Sequence, residues 1–466
     1  MKKYFFISLI NVLVTYSQEI PNQMIEYKLQ DIAFNKGLGW EKLTHFSPMR
    51  YQNINFEKNN NIIYNNNDSV VFNSKIGLFT KNNGFLAYAT IISSFKKYFY
   101  TYFYPRLSNE NNLIANFSGK ELNKSRIGIK YSDINFSGIG FQNEWSILQL
   151  GRGREAWGAG DDIQLVLNKN TKSYDYFKLG LFFKNLRFKY MHGFLESDSQ
   201  AINRYISAHG IEWYNDKNLI ISLSEIVIYS GQNRPIDFSY LNPFNSHLEI
   251  EFNDRQNSLG FNSGNAVWQL SFDYLIKENI RMSGNYLFDE FIIDQEQKDE
   301  GKEAAKAYSF KFVYTPLLTK DSFLSFNASV ISVGTNTFKH EYGNNNFVQR
   351  NRPLGWVIGS DSREIQTGIN WLYRNRIISS LCIGSRLIGE KNLINNLYGP
   401  YADYFNEPFP SGSIEEISFG SAILQWWYKP NISIISEFEI NNSNKKGNNI
   451  EFSFGIDIFY GISTKL

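Results

Sequence analysis

The sequence predicts an all-β protein, a transmembrane antiparallel β-barrel of about eighteen strands with a short N-terminal periplasmic helical segment. Three observations predict it: side chains alternate apolar and polar with a period of two, connections are short on one side and long on the other, and the chain opens with a secretory start. The alternation is plainest between Ala266 and Phe288. There Trp268, Leu270, Phe272, Tyr274 and Ile276 alternate with Gln269, Ser271, Asp273 and Lys277. After Lys277-Glu278-Asn279 the pattern resumes, with Ile280, Met282, Gly284, Tyr286 and Phe288 set against Arg281, Ser283, Asn285 and Asp289. A soluble sandwich would bury the apolar side against a second sheet, whereas an outer-membrane barrel turns it to lipid and its polar side to a watery lumen.

Met1-Lys2-Lys3, a mostly apolar run from Tyr4 to Val14 and then Thr15-Tyr16-Ser17 read as a signal peptide over residues 1–17. Removing Lys2 and Lys3 takes the basic count from 47 to 45, equal to the 45 acidic residues. A neutral mature chain gives no electrostatic case for nucleic acid. Cys382 is the single cysteine, so no intrachain disulfide forms and stability must come from packing and a closed hydrogen-bond ladder. No later stretch is apolar for long enough to span a bilayer as a helix. With 29 Tyr, 39 Phe and 9 Trp the chain is aromatic yet not hydrophobic overall, as expected when only every second strand residue meets lipid.

Residues 18–68 read as a periplasmic N-terminal segment. Ile25, Leu29 and Ile32 have helical spacing before Gly37, and the Asn-rich stretch 57–68 reads as a linker. The barrel follows over 69–466. Strands are expected at 70–80, 85–94, 97–104 and 127–131, with the count open by two between Arg106 and Ser125. Fifteen more are expected at 136–142, 145–152, 176–183, 187–194, 205–214, 218–230, 266–276, 279–288, 306–316, 322–334, 363–373, 377–388, 416–428, 431–441 and 450–460. The total falls near eighteen to twenty. Parity slips around Ser222, Ser224 and Glu225, and Gly420 to Trp427 is apolar on both faces.

Short turns near 184–186, 215–217, 277–279, 317–321, Asn375 and Lys429-Pro430 alternate with long loops at 153–175, 231–265, 289–305, 335–362 and 389–415. That asymmetry belongs to outer-membrane barrels. Lipid offers no partner to an unpaired strand edge, so the sheet must close. The last strand alternates cleanly, though it ends in Leu466 where many such barrels end in an aromatic residue read by the barrel-assembly machinery.

Gly151-Arg-Gly153-Arg-Glu-Ala156 formally matches a dinucleotide fingerprint. It lacks the following helix and parallel βαβ setting that would aim a helix N-terminus at a pyrophosphate. His45, His192, His209, His247 and His340 show no metal-ligand spacing, and no cofactor or metal is expected. Ser207 and His209, two apart on one strand face, form the nearest hydrolase pair, but no orienting third group accompanies them. The long loops carry Tyr342, Trp356, Tyr398, Tyr401, Tyr404 and Phe405 with Arg350, Arg352 and Lys391. Aromatic faces stack on sugar C–H faces and guanidinium groups bond hydroxyls and carboxylates, so these loops suit a glycan; loop packing uses the same residue types.

Three stretches resemble the Wzi family of outer-membrane capsule-assembly proteins. They are Leu150-Gly151-Arg152 with Trp157-Gly158-Ala159-Gly160; Arg204-Tyr-Ile-Ser-Ala-His209 with Leu223-Ser-Glu225-Ile-Val-Ile-Tyr229 and Tyr240-Leu-Asn-Pro243; and Pro353-Leu-Gly355 with Gly359-Ser-Asp361. The resemblance implies an eighteen-stranded barrel with a small helical periplasmic part, non-enzymatic, that holds or organises capsular or exopolysaccharide at the cell surface; a monomer is expected. Arg152, Arg154, Trp157 and Glu225 are the matching positions expected to touch glycan. The alternative is a diffusion pore or polysaccharide exit channel, motivated by the polar face of Gln269, Ser271, Asp273, Arg281, Ser283 and Asn285.

Overall fold

The computed structural model describes residues 70–465 except 97, 123–127, 144, 161, 198–199, 216–217, 258–263, 278, 290–295, 297–298, 301–304, 320–321, 375 and 402–407. The signal peptide expected at 1–17 and the helix and linker expected within 18–68 lie outside the described residues. Eighteen strands follow in chain order. They are β1 (Val70–Lys81), β2 (Gly84–Phe95), β3 (Phe99–Ser108), β4 (Tyr131–Gln142), β5 (Ser146–Gly153), β6 (Tyr174–Phe183), β7 (Leu186–Ser197), β8 (Ile202–Tyr214) and β9 (Leu219–Gln232). Then come β10 (Asn265–Lys277), β11 (Ile280–Phe288), β12 (Lys306–Leu318), β13 (Phe323–Val333), β14 (Ser362–Tyr373), β15 (Ile377–Ile388), β16 (Glu415–Lys429), β17 (Ile432–Ser443) and β18 (Gly447–Lys465). Each pairs antiparallel with the next, and β1 closes on β18 from Val71↔Lys465 to Lys81↔Gly455. No edge is left unpaired, which a hydrocarbon solvent requires.

One strand expectation is corrected. Runs 127–131 and 136–142 are not two strands: Tyr131 to Gln142 is one, β4, the next strand after β3. A shift in the β3–β4 register at Tyr104/Pro105 interrupts the alternation there, because proline brings no ladder donor.

Every connection from an even strand to the next odd one is short: 96–98, 143–145, 184–185, 215–218, 278–279, 319–322, 374–376 and 430–431. The opposite end carries the long segments 109–130, 154–173, 233–264, 289–305, 334–361 and 389–414. The outer surface is apolar, with Leu270, Phe272 and Tyr274 on β10, Ile365, Ile369 and Trp371 on β14, and Ile450, Phe452 and Phe454 on β18 all exposed. Leaving each such side chain in water would cost about 1.5–3 kcal/mol, so the wall is built for lipid. Exposed Trp145, Trp213, Trp371, Trp426 and Tyr428 gather near the short turns as an interfacial girdle. The protein is an outer-membrane barrel, and in such barrels the end that bears the long loops is the extracellular one.

Segments 154–173 and 334–361 fold inward. Trp157 and Leu165 of segment 154–173 pack with Phe338, Phe347, Leu354 and Trp356 of segment 334–361 against Ile206, Ile226, Val267 and Ile331 of the wall. The extracellular half of the lumen therefore contains a hydrophobic plug. The wall's polar side chains hold it. Asn285 accepts from the Ala159 amide at 2.7 Å and donates to the carbonyls of Ala159 (3.0 Å) and Ile163 (3.2 Å), while Lys311 pairs with Asp162 at 2.6 Å.

Segment 233–264 goes the other way and lies over the outside of the barrel. It contains α1 (Phe238–Leu241), capped by the Asp237 side chain, and α2 (His247–Phe252), capped by Ser246. It explains the parity slip near Ser222. The register of β9 runs without a shift against both neighbours, but Val227 and Tyr229, on the outward face, are buried beneath Tyr240 and Ile250 of this strap.

Candidate functional site

At the extracellular rim a hairpin projects from segment 334–361, with Gln349 and Arg352 exchanging backbone hydrogen bonds at 2.7 and 3.1 Å. Arg350 (φ 46°) and Asn351 (φ 63°) are both left-handed, the type I′ geometry that matches strand twist. Arg204, buried on the inward face of β8, fixes its base. Its guanidinium donates to the carbonyls of Asn344 (2.6 Å), Asn346 (2.7 Å) and Val348 (2.8 Å) and to Glu196 (2.9 Å). The Tyr398 ring lies 5.3 Å from the same guanidinium, and its hydroxyl donates to Glu196 at 2.5 Å.

The tip carries exposed Arg350 and Arg352, and two more cations join them. Arg350 donates to the Ser118 carbonyl at 3.1 Å, and Arg152 donates to the Ser118 hydroxyl at 3.2 Å. Arg352 donates to Asn116 at 2.9 Å. Lys172 lies close enough that partial burial, followed by the charges of Arg352 and Arg350, lowers its pKa. Against these stand Glu196 and the exposed Asp175, which pairs with Arg152 at 3.0 Å. The arrangement is a basic rim, held from below and open above, suited to carboxylate and hydroxyl groups.

The expected site residues distribute unevenly. Arg152 belongs to the rim, and Tyr398 props it from within. Tyr342 is exposed on the same loop, and the Tyr401 amide donates to the His340 carbonyl at 3.2 Å. Tyr404 lies outside the described residues. Arg154 faces inward: burial, then the charge of Arg106, lowers its pKa to about 10, and its guanidinium sits 4.9 Å over Phe136.

Trp157 and Trp356 are plug core, 6 % and 5 % exposed, with no ring face left for a sugar. Gly158 (φ 115°) turns the chain under the wall, and a Cβ there would lie 2.7 Å from Asn285 Oδ1. At Gly355 a Cβ would lie 1.8 Å from the Leu165 carbonyl oxygen. Asp361 accepts from Thr335 Oγ1 and from both the amide and hydroxyl of Ser411. The motif residues thus build the plug.

Glu225 is on the outer wall beneath the strap, accepting from the His247 amide (3.0 Å) and Trp268 Nε1 (2.8 Å), with His209 Nε2 at 3.2 Å. It cannot meet a glycan at the rim. The Ser207 hydroxyl donates to the Tyr240 carbonyl at 2.9 Å in the same covered place. Sequence reasoning missed Lys172 and Arg204. The signals for the site were Arg152 within its motif and Arg350 and Arg352 within a long loop.

These features define a class: an outer-membrane β-barrel of eighteen strands with an internal plug and a basic extracellular rim. Among solved structures it is similar to Wzi of Escherichia coli, described as an outer-membrane protein involved in group 1 capsule assembly and a carbohydrate-binding β-barrel. The identity is 12%, 94% of this chain and 98% of that one are covered, and the TM-score is 0.60. Two Pseudomonas aeruginosa barrels match more loosely. OprD has 10% identity over 85% of this chain and 95% of its own, with a TM-score of 0.43. OpdK has 8% identity over 85% and 98%, with a TM-score of 0.46. No protein-family model and no curated protein matches the sequence.

Proposed function

We propose that the protein binds and organises acidic polysaccharide at the cell surface and acts as a holding protein without turnover. One observation carries the reading: Arg152, Lys172, Arg350 and Arg352 converge at the outer rim on a hairpin whose base is pinned by a buried arginine. Four cations at the mouth match the carboxylates of a uronic-acid-bearing glycan, and Tyr342 supplies an accessible aromatic face nearby. The likeness to a carbohydrate-binding barrel supports the same reading at the level of fold.

The channel reading loses its motive. Gln269 and Asn285 are spent on the backbone of the plug, and Asp273 is bonded to Arg281. The test is retention of the host's own surface glycan by detergent-purified protein. Arg350→Ala with Arg352→Ala should weaken retention about tenfold or more, roughly 1.4 kcal/mol, and salt should weaken the parent in the same direction. Unchanged retention by the folded double variant would sink the proposal.

A further inference from the structure

The strap at 233–264 covers a patch of wall that hydrocarbon would not tolerate. Beneath it, on the outward faces of β7, β8 and β9, lie Tyr190, Ser207, His209 and Glu225. A carboxylate or imidazole on a lipid-facing position destabilises a barrel by an amount that grows with depth. The strap replaces that surface with one of opposite character. Its own outward side exposes Phe238 (83 %), Phe244 (72 %), Phe252 (84 %) and Leu248 (43 %).

Its depth follows from the strand register. The interfacial girdle at the short-turn end includes Trp213 on β8. An apolar band ~25 Å tall, crossed by strands tilted ~40° and rising ~3.3 Å per residue, takes roughly ten residues. From Trp213 that reaches Asn203. The strap's footprint lies inside this span: the Asp237 amide donates to Tyr229, which pairs with Tyr205, and the Tyr240 carbonyl accepts from Ser207. At its lowest point Phe244 stacks on Phe188, centroids 5.0 Å apart, and Phe188 pairs with Ile211, two residues above Trp213. Charged side chains concentrate towards the extracellular end of the strap, while uncharged Asn242 and Ser246 are exposed beside Phe244 in the lower turn. Arg234 bonds Asn257 near the extracellular end, and Arg255 pairs with Glu249 beside Ser239, whereas Phe244 and Leu248 occupy the lower turn.

We propose that the strap is embedded in the hydrocarbon of the outer membrane, reaching from the extracellular headgroups, near Phe238 and Phe252, down to Phe244, with Phe244 and Leu248 among the acyl chains of the lipid. It continues the lipid-facing belt over a stretch of wall where the outward face carries Ser207, His209 and Glu225, so its occupant is lipid and not a protein partner. This rests on the outer-membrane placement and is independent of the glycan reading.

Single cysteines at Phe244, Leu248, Leu223 and Asn351, each in a Cys382→Ser background, are labelled with an environment-sensitive fluorophore and reconstituted in phosphatidylcholine vesicles. Leu223 reports bare wall and Asn351 reports water. A nitroxide carried on the acyl chain should remove more than half of the emission at 244 and 248, as at 223, with little effect from aqueous iodide; at 351 the order should reverse. Iodide quenching at 244 and 248 equal to that at 351, with 223 still shielded, overturns the proposal. Iodide quenching at 223 as well would instead overturn the membrane placement beneath it. Should the Phe244 variant fail to fold, judged by heat-dependent electrophoretic mobility, Leu248→Cys carries the same comparison.

Discussion

Arg204 shows what a single side chain does in this molecule. Its guanidinium satisfies three backbone carbonyls and one carboxylate inside the barrel. Each buried acceptor left without its donor costs ~1–3 kcal/mol, so Arg204→Ala should release the hairpin while the ladder persists. We predict that trypsin then cuts at Arg350 or Arg352 in the folded barrel, detected by mass spectrometry, whereas the parent stays intact there. An uncut variant with unchanged heat-dependent mobility would show that the hairpin is held otherwise. Arg204 stood within a motif legible in the sequence, yet its role was not legible. Its partners are carbonyls about 140 residues away, and backbone acceptors leave no trace in residue type. Trp157 misled for the opposite reason: an indole in a glycine-rich loop looks like a sugar platform, and only the inward path of the loop makes it core. We predict that Trp157→Phe leaves glycan retention within about twofold of the parent, since the ring is enclosed; a tenfold loss, ~1.4 kcal/mol, with folding intact would reopen its assignment.

Among the elements, strands were the most legible because lipid enforces a strict alternation. Departures had local causes: a proline in β3, and over β9 a strap that buries the outward face. Glu225 was misplaced by that second cause. A charged residue on a strand reads as lumenal until a covering segment is known. The docking of segment 334–361 beside the strap has a consequence for pH. Burial holds the pKa of His340 at about 4, against an unperturbed value near 6.5, with Glu251 and His247 of the strap facing it. A base whose folded pKa is depressed contributes no penalty above its unfolded value. As pH falls from about 6.5 towards about 4, the undocked state takes up the proton first and docking weakens. We predict that hydrogen-exchange protection of residues 338–347 declines across that window, and that His340→Gln flattens the decline. Protection that is constant from pH 7 to 4 in the parent would contradict the assignment.

At the scale of the whole molecule, the barrel and its contents make separate demands. Closure follows from the solvent, so a closed sheet and the side bearing long loops could be read from the chain, and the strand count to within two. What fills the lumen could not, because the plug is assembled from segments 154–173 and 334–361, joined by Leu393 of segment 389–414, whose apolar residues carry no periodicity. The plug packs against the wall from β6 to β13, while on β17 and β18 the inward-facing Glu437, Glu439 and Glu451 remain accessible to water. Wild-type protein in a planar bilayer should therefore pass only a small current. Replacing residues 157–166 by a short Gly-Ser bridge removes Leu165, whose carbonyl anchors the Trp356 amide at 2.8 Å, and so one of the backbone bonds between segments 154–173 and 334–361, leaving that from the Asn168 amide to the Leu354 carbonyl. The conductance should rise several-fold. The opened lumen should also favour cations, since the newly wetted path runs past those carboxylates and a ring of one sign sets selectivity. A parent that already conducts as freely as the opened variant would mean that the plug does not close the path, and the protein would then have to be understood as a channel first.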